Sequence, residues 1–215
     1  MCTGFYVPGV APVEFKGGDP IGVKAVKMTS TITQLPYSYY SLPFCKPRAT
    51  KLEYKSENLG EVLRGDRIVT TPYEFKMLED RDCSLACNSA DSPLRWDATH
   101  SSVAFSHIDH QYYVHMIVDN LPCVTKLPTH DGMDQQFEVG YRLGMMSRDG
   151  KRAFINNHLD FILSYHSEDQ KTFRVVGCEI QPKSVNRALL NGKDQSCNID
   201  YTRLNSNEAD SFQEI

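Results

Sequence analysis

Alternation of apolar and polar side chains at every second residue is the feature that most limits how this chain can fold. Between residues 137 and 143 the odd-numbered positions are apolar, whereas Glu138 and Arg142 are charged. The same alternation recurs between residues 159 and 165, where Ile162 is the exception. Between residues 173 and 180 both faces carry apolar side chains. Because a period of two places alternate side chains on opposite faces of an extended chain, these segments are predicted to be β-strands.

Shorter segments and turns extend this pattern to most of the chain. Further strand candidates are residues 23–29, 52–54, 73–77 and 112–118. Asp131-Gly132 and Asp149-Gly150 supply residues that tolerate a positive φ, and the polar residues 167–170 join the last two strong strands as a hairpin loop. Helical spacing extends beyond one turn only at Leu59, Val62 and Leu63, where Gly60 weakens it. We therefore expect an all-β, antiparallel β-sandwich-like domain with at most short helices.

Length and composition favour a single globular domain. The 215 residues are 40% hydrophobic and 23% charged, which is ordinary for a globular protein. We assign residues 1–200 to one domain and residues 201–215 to a polar tail, because residues 205–215 are polar and lack periodicity. The net charge is −4 and no basic stripe is present, so nucleic acid is not an expected partner.

Neither membrane segments nor enzyme motifs are recognisable in the sequence. The best apolar run, residues 112–118, is far shorter than the roughly 18 to 20 residues that cross a bilayer. The first residues have neither a charged nor an apolar region of a secretory signal. No G-x-S-x-G turn or Gly-rich phosphate-binding loop occurs. We therefore expect no enzyme activity, no cofactor and no small-molecule substrate.

Histidines and cysteines provide the candidates for a metal site. His107, His110 and His115 form the densest histidine cluster, but no second pair at a matching spacing completes a set of four zinc ligands. Cys83 and Cys87 form half of a possible thiolate site, or else pair with distant cysteines as disulfides. The alternative function that these residues allow is a soluble metal-binding or hydrolytic domain.

Several motifs, found in the same order along the chain, carry a resemblance to a known family. Residues 35–45 read LPYSYYSLPFC, and residues 57–68 read ENLGEVLRGDRI. Shorter matches follow at residues 112–115, 140–144 and 156–159. In these motifs the chain resembles the luminal N-terminal domain of the transmembrane nine superfamily, the nonaspanins, and in particular their member-four branch. The resemblance covers about residues 5–197.

The resemblance implies disulfides and an oxidising compartment. Cys45, Cys83, Cys87 and Cys197 fall where the member-four branch carries luminal cysteines. These four residues are therefore the disulfide candidates, in a pairing that the sequence leaves open. Because the family continues into nine membrane spans, the chain is expected to be the luminal part of a longer protein.

The resemblance also implies a role and a set of partners. Family members are implicated in sorting membrane proteins in the Golgi and endosomes, and in adhesion and phagocytosis. We expect a non-catalytic luminal domain whose partners are its own membrane domain or the luminal parts of cargo membrane proteins. Tyr37, Tyr39 and Tyr40 are the candidate contact residues, because exposed tyrosines are common in protein interfaces.

Overall fold

A computed structural model provides the three-dimensional structure of the chain. The structure describes residues 13–47, 54–55, 68–81, 84–87, 96–128, 134–186 and 214–215. The helical spacing at residues 59–63, the Asp131-Gly132 turn and most of the polar tail lie outside these ranges.

Twelve strands, one α-helix and one 3-10 helix make up the described part of the chain. The first strands are β1 (Pro20–Thr29), β2 (Tyr54–Lys55) and β3 (Ile68–Lys76), and the 3-10 helix Tyr39–Ser41 lies between β1 and β2. Helix α1 (Ala98–Asp109) is followed by β4 (Tyr113–Val118), β5 (Leu121–Pro122), β6 (Val124–Lys126), β7 (Phe137–Val139) and β8 (Tyr141–Arg142). The remaining strands are β9 (Gly144–Met146), β10 (Ala153–Ile155), β11 (His158–His166) and β12 (Arg174–Lys183).

Strand β1 is the centre of the larger sheet, which has the order β2-β3-β1-β4-β5 with β8 also paired to β4. All its pairings are antiparallel. Along β4 the side chains of Val114, Met116 and Val118 are buried, and the residues between them are half-buried. This alternation gives the sheet one face that belongs to the core, as a period of two requires.

A second sheet has the order β11-β12-β6-β7 and packs against the first. Its pairings are antiparallel except for the single parallel pair of β12 and β6, at Glu179 and Val124. The Phe161 ring of β11 lies 5.3 Å from the Tyr73 ring and 5.1 Å from the Phe75 ring of β3, measured between centroids. The contact between the sheets confirms the predicted all-β, sandwich-like class.

The chain crosses between the two sheets at two neighbouring points. Cys123 lies between β5 of the first sheet and β6 of the second, and Gly140 lies between β7 of the second and β8 of the first. The Gly140 amide donates to the Cys123 carbonyl at 2.8 Å, and the Cys123 amide donates to the Met116 carbonyl at 2.9 Å. A disulfide then joins Cys123 to Cys178 of β12. The two crossings are therefore held together at one corner of the sandwich.

This corner corrects the prediction of one continuous strand over residues 137–143. The structure divides the segment at Gly140, whose φ is +82°, into β7 and β8 of different sheets. Phe137 and Val139 are exposed, whereas Tyr141 and Leu143 are buried. The alternation predicted that all four apolar side chains lie on one buried face. Because the chain changes sheet at Gly140, only the two that follow Gly140 are buried.

Helix α1 packs against the short β9–β10 sheet. Asp97 caps its N-terminus, since the carboxylate accepts a hydrogen bond from the His100 amide at 2.7 Å. Ala104, His107 and Ile108 are its buried residues. The sequence did not predict this helix, because one of its three core positions is a histidine and the apolar stripe is correspondingly weak. Among the described residues, no helix has both the length and the apolar character needed to cross a membrane.

Candidate functional site

The loop that follows β1 presents the most exposed apolar side chains near the family-like motif of residues 35–45. We call residues 31–37 the 31–37 loop. Its base is closed by two main-chain hydrogen bonds between Met28 and Tyr37, of 2.7 and 2.9 Å. At its tip, Ile32 is 57% exposed and Leu35 is 59% exposed. Two large aliphatic side chains in water on a hydrogen-bonded loop form a surface that a partner can cover.

Polar contacts fix the conformation of the 31–37 loop. The buried hydroxyl of Ser30 donates to the His110 carbonyl at 2.5 Å and accepts from the Ile32 amide at 3.0 Å. The Tyr112 hydroxyl donates to the Leu35 carbonyl at 2.9 Å and also lies 2.6 Å from the Thr33 hydroxyl. These bonds tie both ends of the loop to the residues that follow α1.

Three aromatic rings pack beneath the loop. The centroid of the His107 ring is 4.6 Å from that of Tyr37 and 4.6 Å from that of Tyr112. The Tyr37 and Tyr112 centroids are 5.5 Å apart, in an edge-on arrangement. The partly exposed Tyr37 ring therefore packs on the buried His107 ring, and Tyr37 at the same time ends the loop.

His107 itself is buried and half-satisfied. Its side chain is 6% exposed, and its Nδ1 lies 2.8 Å from the Val103 carbonyl one turn earlier in α1. Because a carbonyl only accepts, Nδ1 carries the proton of the neutral ring. Nε2 is buried without a hydrogen-bond partner among the described residues. Burial, with a smaller contribution from the neighbouring His110, lowers the pKa of His107, although the bond to Val103 opposes this effect.

The three predicted histidine ligands do not converge, which corrects the metal-site alternative. His107 lies under the loop, His110 bonds through Nδ1 to the Ser106 carbonyl at 2.7 Å, and His115 bonds through Nε2 to the Thr29 hydroxyl at 2.6 Å. In the part of the chain that the structure describes, no three His, Cys, Asp or Glu side chains are placed to hold a metal ion. Cys87 is oxidised, so it offers no thiolate.

The three predicted contact tyrosines have different environments. Tyr37 is exposed enough to reach a partner. Tyr39 is 2% exposed and stacks on Phe44 at 4.5 Å, so its side chain lies in the core and not at the surface. Tyr40 is half-buried, and its hydroxyl donates a hydrogen bond to the Thr70 carbonyl at 2.8 Å, which connects the 3-10 helix to β3. The 3-10 helix Tyr39–Ser41 places the Tyr39 side chain in the core.

A cleft of about 1140 Å³ opens between the two sheets. Its lining is rich in aromatic rings, including those of Tyr39, Tyr73, Tyr141 and Phe161. The carboxylate of Asp160, one of the lining residues, accepts hydrogen bonds from His158 at 2.7 Å and Lys183 at 2.5 Å. Partial burial acts to raise the pKa of Asp160, but these two bonds outweigh it and hold the pKa below its usual range. Since both carboxylate oxygens are engaged, this group links β11 to β12.

Buried tyrosines around the cleft should make the fold sensitive to alkali. Burial, the largest cause, raises the pKa values of Tyr39 and Tyr141 well above the ordinary value of 10.0. The folded state then keeps protons that the unfolded state loses, so stability is complete below pH 10.0 and falls as pH rises above it. Each group should increase the unfolding equilibrium constant by up to about tenfold per pH unit.

Tyr141→Phe tests this prediction, with the exposed Tyr165→Phe as its control. We expect Tyr141→Phe to make the alkaline loss of stability less steep by up to one proton, measured by urea unfolding between pH 9 and 11. Tyr165→Phe should leave the slope unchanged. Equal slopes in all three proteins would contradict the assignment.

Two disulfides occur among the described cysteines. Cys45 is bonded to Cys87, with Cα atoms 5.4 Å apart, and Cys123 is bonded to Cys178, with Cα atoms 4.6 Å apart. The first pair joins two of the four predicted candidates, while the other two, Cys83 and Cys197, lie outside the described residues. The second pair was missed. Cys178 occupies an apolar strand position and Cys123 follows a proline, and neither feature distinguishes a disulfide from a buried thiol.

Comparisons with known proteins agree with the resemblance that the sequence motifs carry. A family model described as Endomembrane protein 70 matches residues 36–214. Transmembrane 9 superfamily member 4 of Mus musculus is 46% identical over 216 residues, which is 92% of this chain and 33% of the mouse protein. Transmembrane 9 superfamily member 9 of Arabidopsis thaliana is 43% identical over 190 residues, 84% of this chain and 28% of the plant protein.

A more distant relative is named for a receptor function. A Dictyostelium discoideum protein, whose name marks it as a candidate phagocytic receptor 1a, is 36% identical over 188 residues. Those residues are 84% of this chain and 28% of the Dictyostelium protein. The chain thus spans about a third of the length of the curated relatives it matches. No solved structure matches it.

Proposed function

The chain belongs to the Endomembrane protein 70 family, and on that premise we propose that it forms a non-catalytic luminal interaction domain of a multi-pass membrane protein. Its relatives are transmembrane 9 superfamily membrane proteins. The role is sorting and trafficking of membrane proteins in the Golgi and endosomes, with adhesion and phagocytosis as further roles that the family resemblance implies. The observation that carries the interaction role is the rigid, apolar 31–37 loop.

The disulfides support the proposal that this domain lies on the luminal side of the membrane. Cys45–Cys87 and Cys123–Cys178 need an oxidising compartment to form and persist, whereas cytosolic thiols are kept reduced. The secretory pathway provides such a compartment. Cys123 and Cys178 are also buried, which protects their bond from reductants.

The 31–37 loop supports an interaction role because its apolar tip is held in place before binding. The side chains of Ile32 and Leu35 are uncharged, so they match an apolar surface on a partner. Ser30 and Tyr112 hold the backbone, so little conformational entropy is lost when a partner covers the tip. Tyr37 adds an aromatic ring of the kind that interfaces favour.

The partner we propose first is the membrane-spanning part of the same protein. The chain spans about a third of the length of relatives named as transmembrane proteins, so most of such a protein lies outside it. In this proposal the apolar tip of the 31–37 loop contacts the luminal side of that membrane-spanning part. A luminal part of a cargo membrane protein is the alternative occupant, and the experiment below separates the two.

Replacing the loop tip should weaken this contact. We expect the double variant Ile32→Ser/Leu35→Ser to bind at least about tenfold more weakly to the membrane-spanning part of mouse Transmembrane 9 superfamily member 4 in detergent, because each lost aliphatic contact contributes about 1 kcal/mol or more. The matched control is Ile162→Ser/Val176→Ser, which removes two comparably exposed aliphatic side chains from the other sheet.

The outcomes distinguish the proposals. Unchanged binding by the loop variant, or an equal loss in the control, contradicts the loop as the contact surface. Absence of binding by the wild-type chain to the membrane-spanning part contradicts that partner and favours cargo as the occupant. Circular dichroism of both variants checks that the fold is retained.

A further inference from the structure

We propose that the 31–37 loop is an acid-sensitive element, which opens when the buried His107 ring beneath Tyr37 takes up a proton. The inference extends the proposed function, since it names how the same contact surface is regulated. The opening itself depends only on the geometry around His107, and its test does not require a partner.

The site around His107 accommodates a neutral ring and not a charged one. In the neutral ring, Nδ1 donates to the Val103 carbonyl and Nε2 is left as an unpaired acceptor. A second proton would convert Nε2 into a buried, positively charged donor with no acceptor among the described residues. Burying such a donor is more costly than burying an unpaired neutral acceptor. The folded loop therefore opposes protonation.

The groups that face the ring offer no compensating negative charge. Tyr37 approaches from the loop and Tyr112 from the residue before β4, both through their rings. His110 lies on the same helix and further disfavours a charge on His107. Among the described residues, no carboxylate contributes to the electrostatic environment of His107. In the closed state, therefore, no negatively charged side chain among the described residues stabilises the protonated form of His107.

Movement of Tyr37 is the simplest way to reduce the cost of burying a protonated His107. Because the partly exposed Tyr37 ring packs on the buried His107 ring, its displacement exposes part of the His107 ring to water. Tyr37 is also the end of the loop, paired to Met28 through two main-chain hydrogen bonds. Displacing it strains those bonds and the bond from Tyr112 to the Leu35 carbonyl. Protonation at one nitrogen is in this way coupled to the position of Ile32 and Leu35.

The direction of the effect follows from the lowered pKa of His107. An unfolded or open chain binds a proton at the ordinary value of about 6.5, whereas the closed loop resists it until lower pH. The stability of the closed loop is complete above about pH 6.5 and declines as the pH falls below that value. Binding through the loop tip should weaken over the same range, which an acidifying luminal compartment crosses.

Hydrogen exchange of the loop amides in the 215-residue chain tests the coupling. After correction for the intrinsic exchange rate, we expect residues 31–37 to exchange between about threefold and fivefold faster at pH 5.5 than at pH 6.5. His107→Phe keeps an aromatic ring between Tyr37 and Tyr112 but cannot be protonated, so its corrected exchange rate should not change with pH.

His110→Phe is the matched control. His110 makes the same type of bond as His107, from Nδ1 to a carbonyl one turn earlier, but it is only half-buried. This variant should keep the acid response of the wild type. A response that persists in His107→Phe, or that is lost only in His110→Phe, overturns the proposal.

A measurement on the wild-type chain keeps the proposal testable if the His107→Phe variant does not fold. The Cε1 proton of His107, followed by NMR, should titrate below the ordinary histidine value of about 6.5, and the amide signals of residues 31–37 should shift with the same midpoint. Titration of His107 without any change in the loop signals also overturns the proposal. Both tests are independent of partner binding, so they can fail while the proposed function stands.

Discussion

A Gly140→Ala variant should lose at least about 3 kcal/mol of folding free energy. Gly140 has a φ of +82°, in the left-handed region where a side chain is strained. A Cβ added there would lie 2.5 Å from the Val114 carbonyl oxygen and 3.2 Å from Nδ1 of His115. The Val114 oxygen belongs to the backbone of β4, so it has no rotamer with which to avoid the clash. Strain and overlap therefore act together.

Because of the position of Gly140, the loss of folding free energy should involve both sheets. Its amide bonds to the Cys123 carbonyl and its own carbonyl accepts from the Thr125 hydroxyl at 2.8 Å. The two direct crossings between the sheets, at Cys123 and Gly140, pass through this corner. A displacement of Gly140 consequently disturbs the packing of the two sheets and not only one turn.

Gly150→Ala separates strain from overlap. Gly150 also has a positive φ, +69°, but a Cβ there would meet nothing within 4 Å. This variant should lose only the backbone cost of about 1 to 2 kcal/mol. Urea unfolding of the three proteins gives the comparison. Equal losses in the two variants would show that the close contact with β4 is not present in solution.

Gly140 also shows which part of the fold could not be predicted from the sequence. Alternation correctly indicated extended chain on both sides of it, because a period of two is a local property of the backbone. The change of sheet at Gly140 is a property of distant partners, β6 on one side and β4 on the other. A glycine inside a strand pattern is a signal for a bulge or a close approach, and that signal was present.

The candidate site was predictable only in part, for the same reason. The motif at residues 35–45 drew attention to Tyr37, Tyr39 and Tyr40, but their burial depends on a 3-10 helix that has no periodic signature. His107 was noticed as a metal ligand, whereas its structural role depends on Tyr37, seventy residues earlier in the chain. Contacts of this range are set by the fold and cannot be read from spacing.

Removal of the Cys123–Cys178 disulfide should be the second large perturbation. For a loop of this length, the loss of chain constraint in the unfolded state contributes about 4 kcal/mol. The sulfurs of Cys123 and Cys178 are also buried in the core, so Cys123→Ala/Cys178→Ala adds a cavity cost of about 1 kcal/mol. The bond joins the crossing between the sheets to β12, and we expect a total loss of about 4 to 5 kcal/mol.

Cys45→Ala/Cys87→Ala is the control that isolates the structural contribution. The two disulfides close sequence separations of 55 and 42 residues, so their chain-entropy contributions differ by only about 0.2 kcal/mol. Cys45 and Cys87 are half-buried, and their removal leaves less of a cavity. If chain entropy alone mattered, urea unfolding without reductant would give equal losses for the two variants, with thiols counted by intact mass. A loss larger by about 1 kcal/mol for Cys123→Ala/Cys178→Ala is expected, because removal of those buried sulfurs leaves the larger cavity at the corner between the sheets.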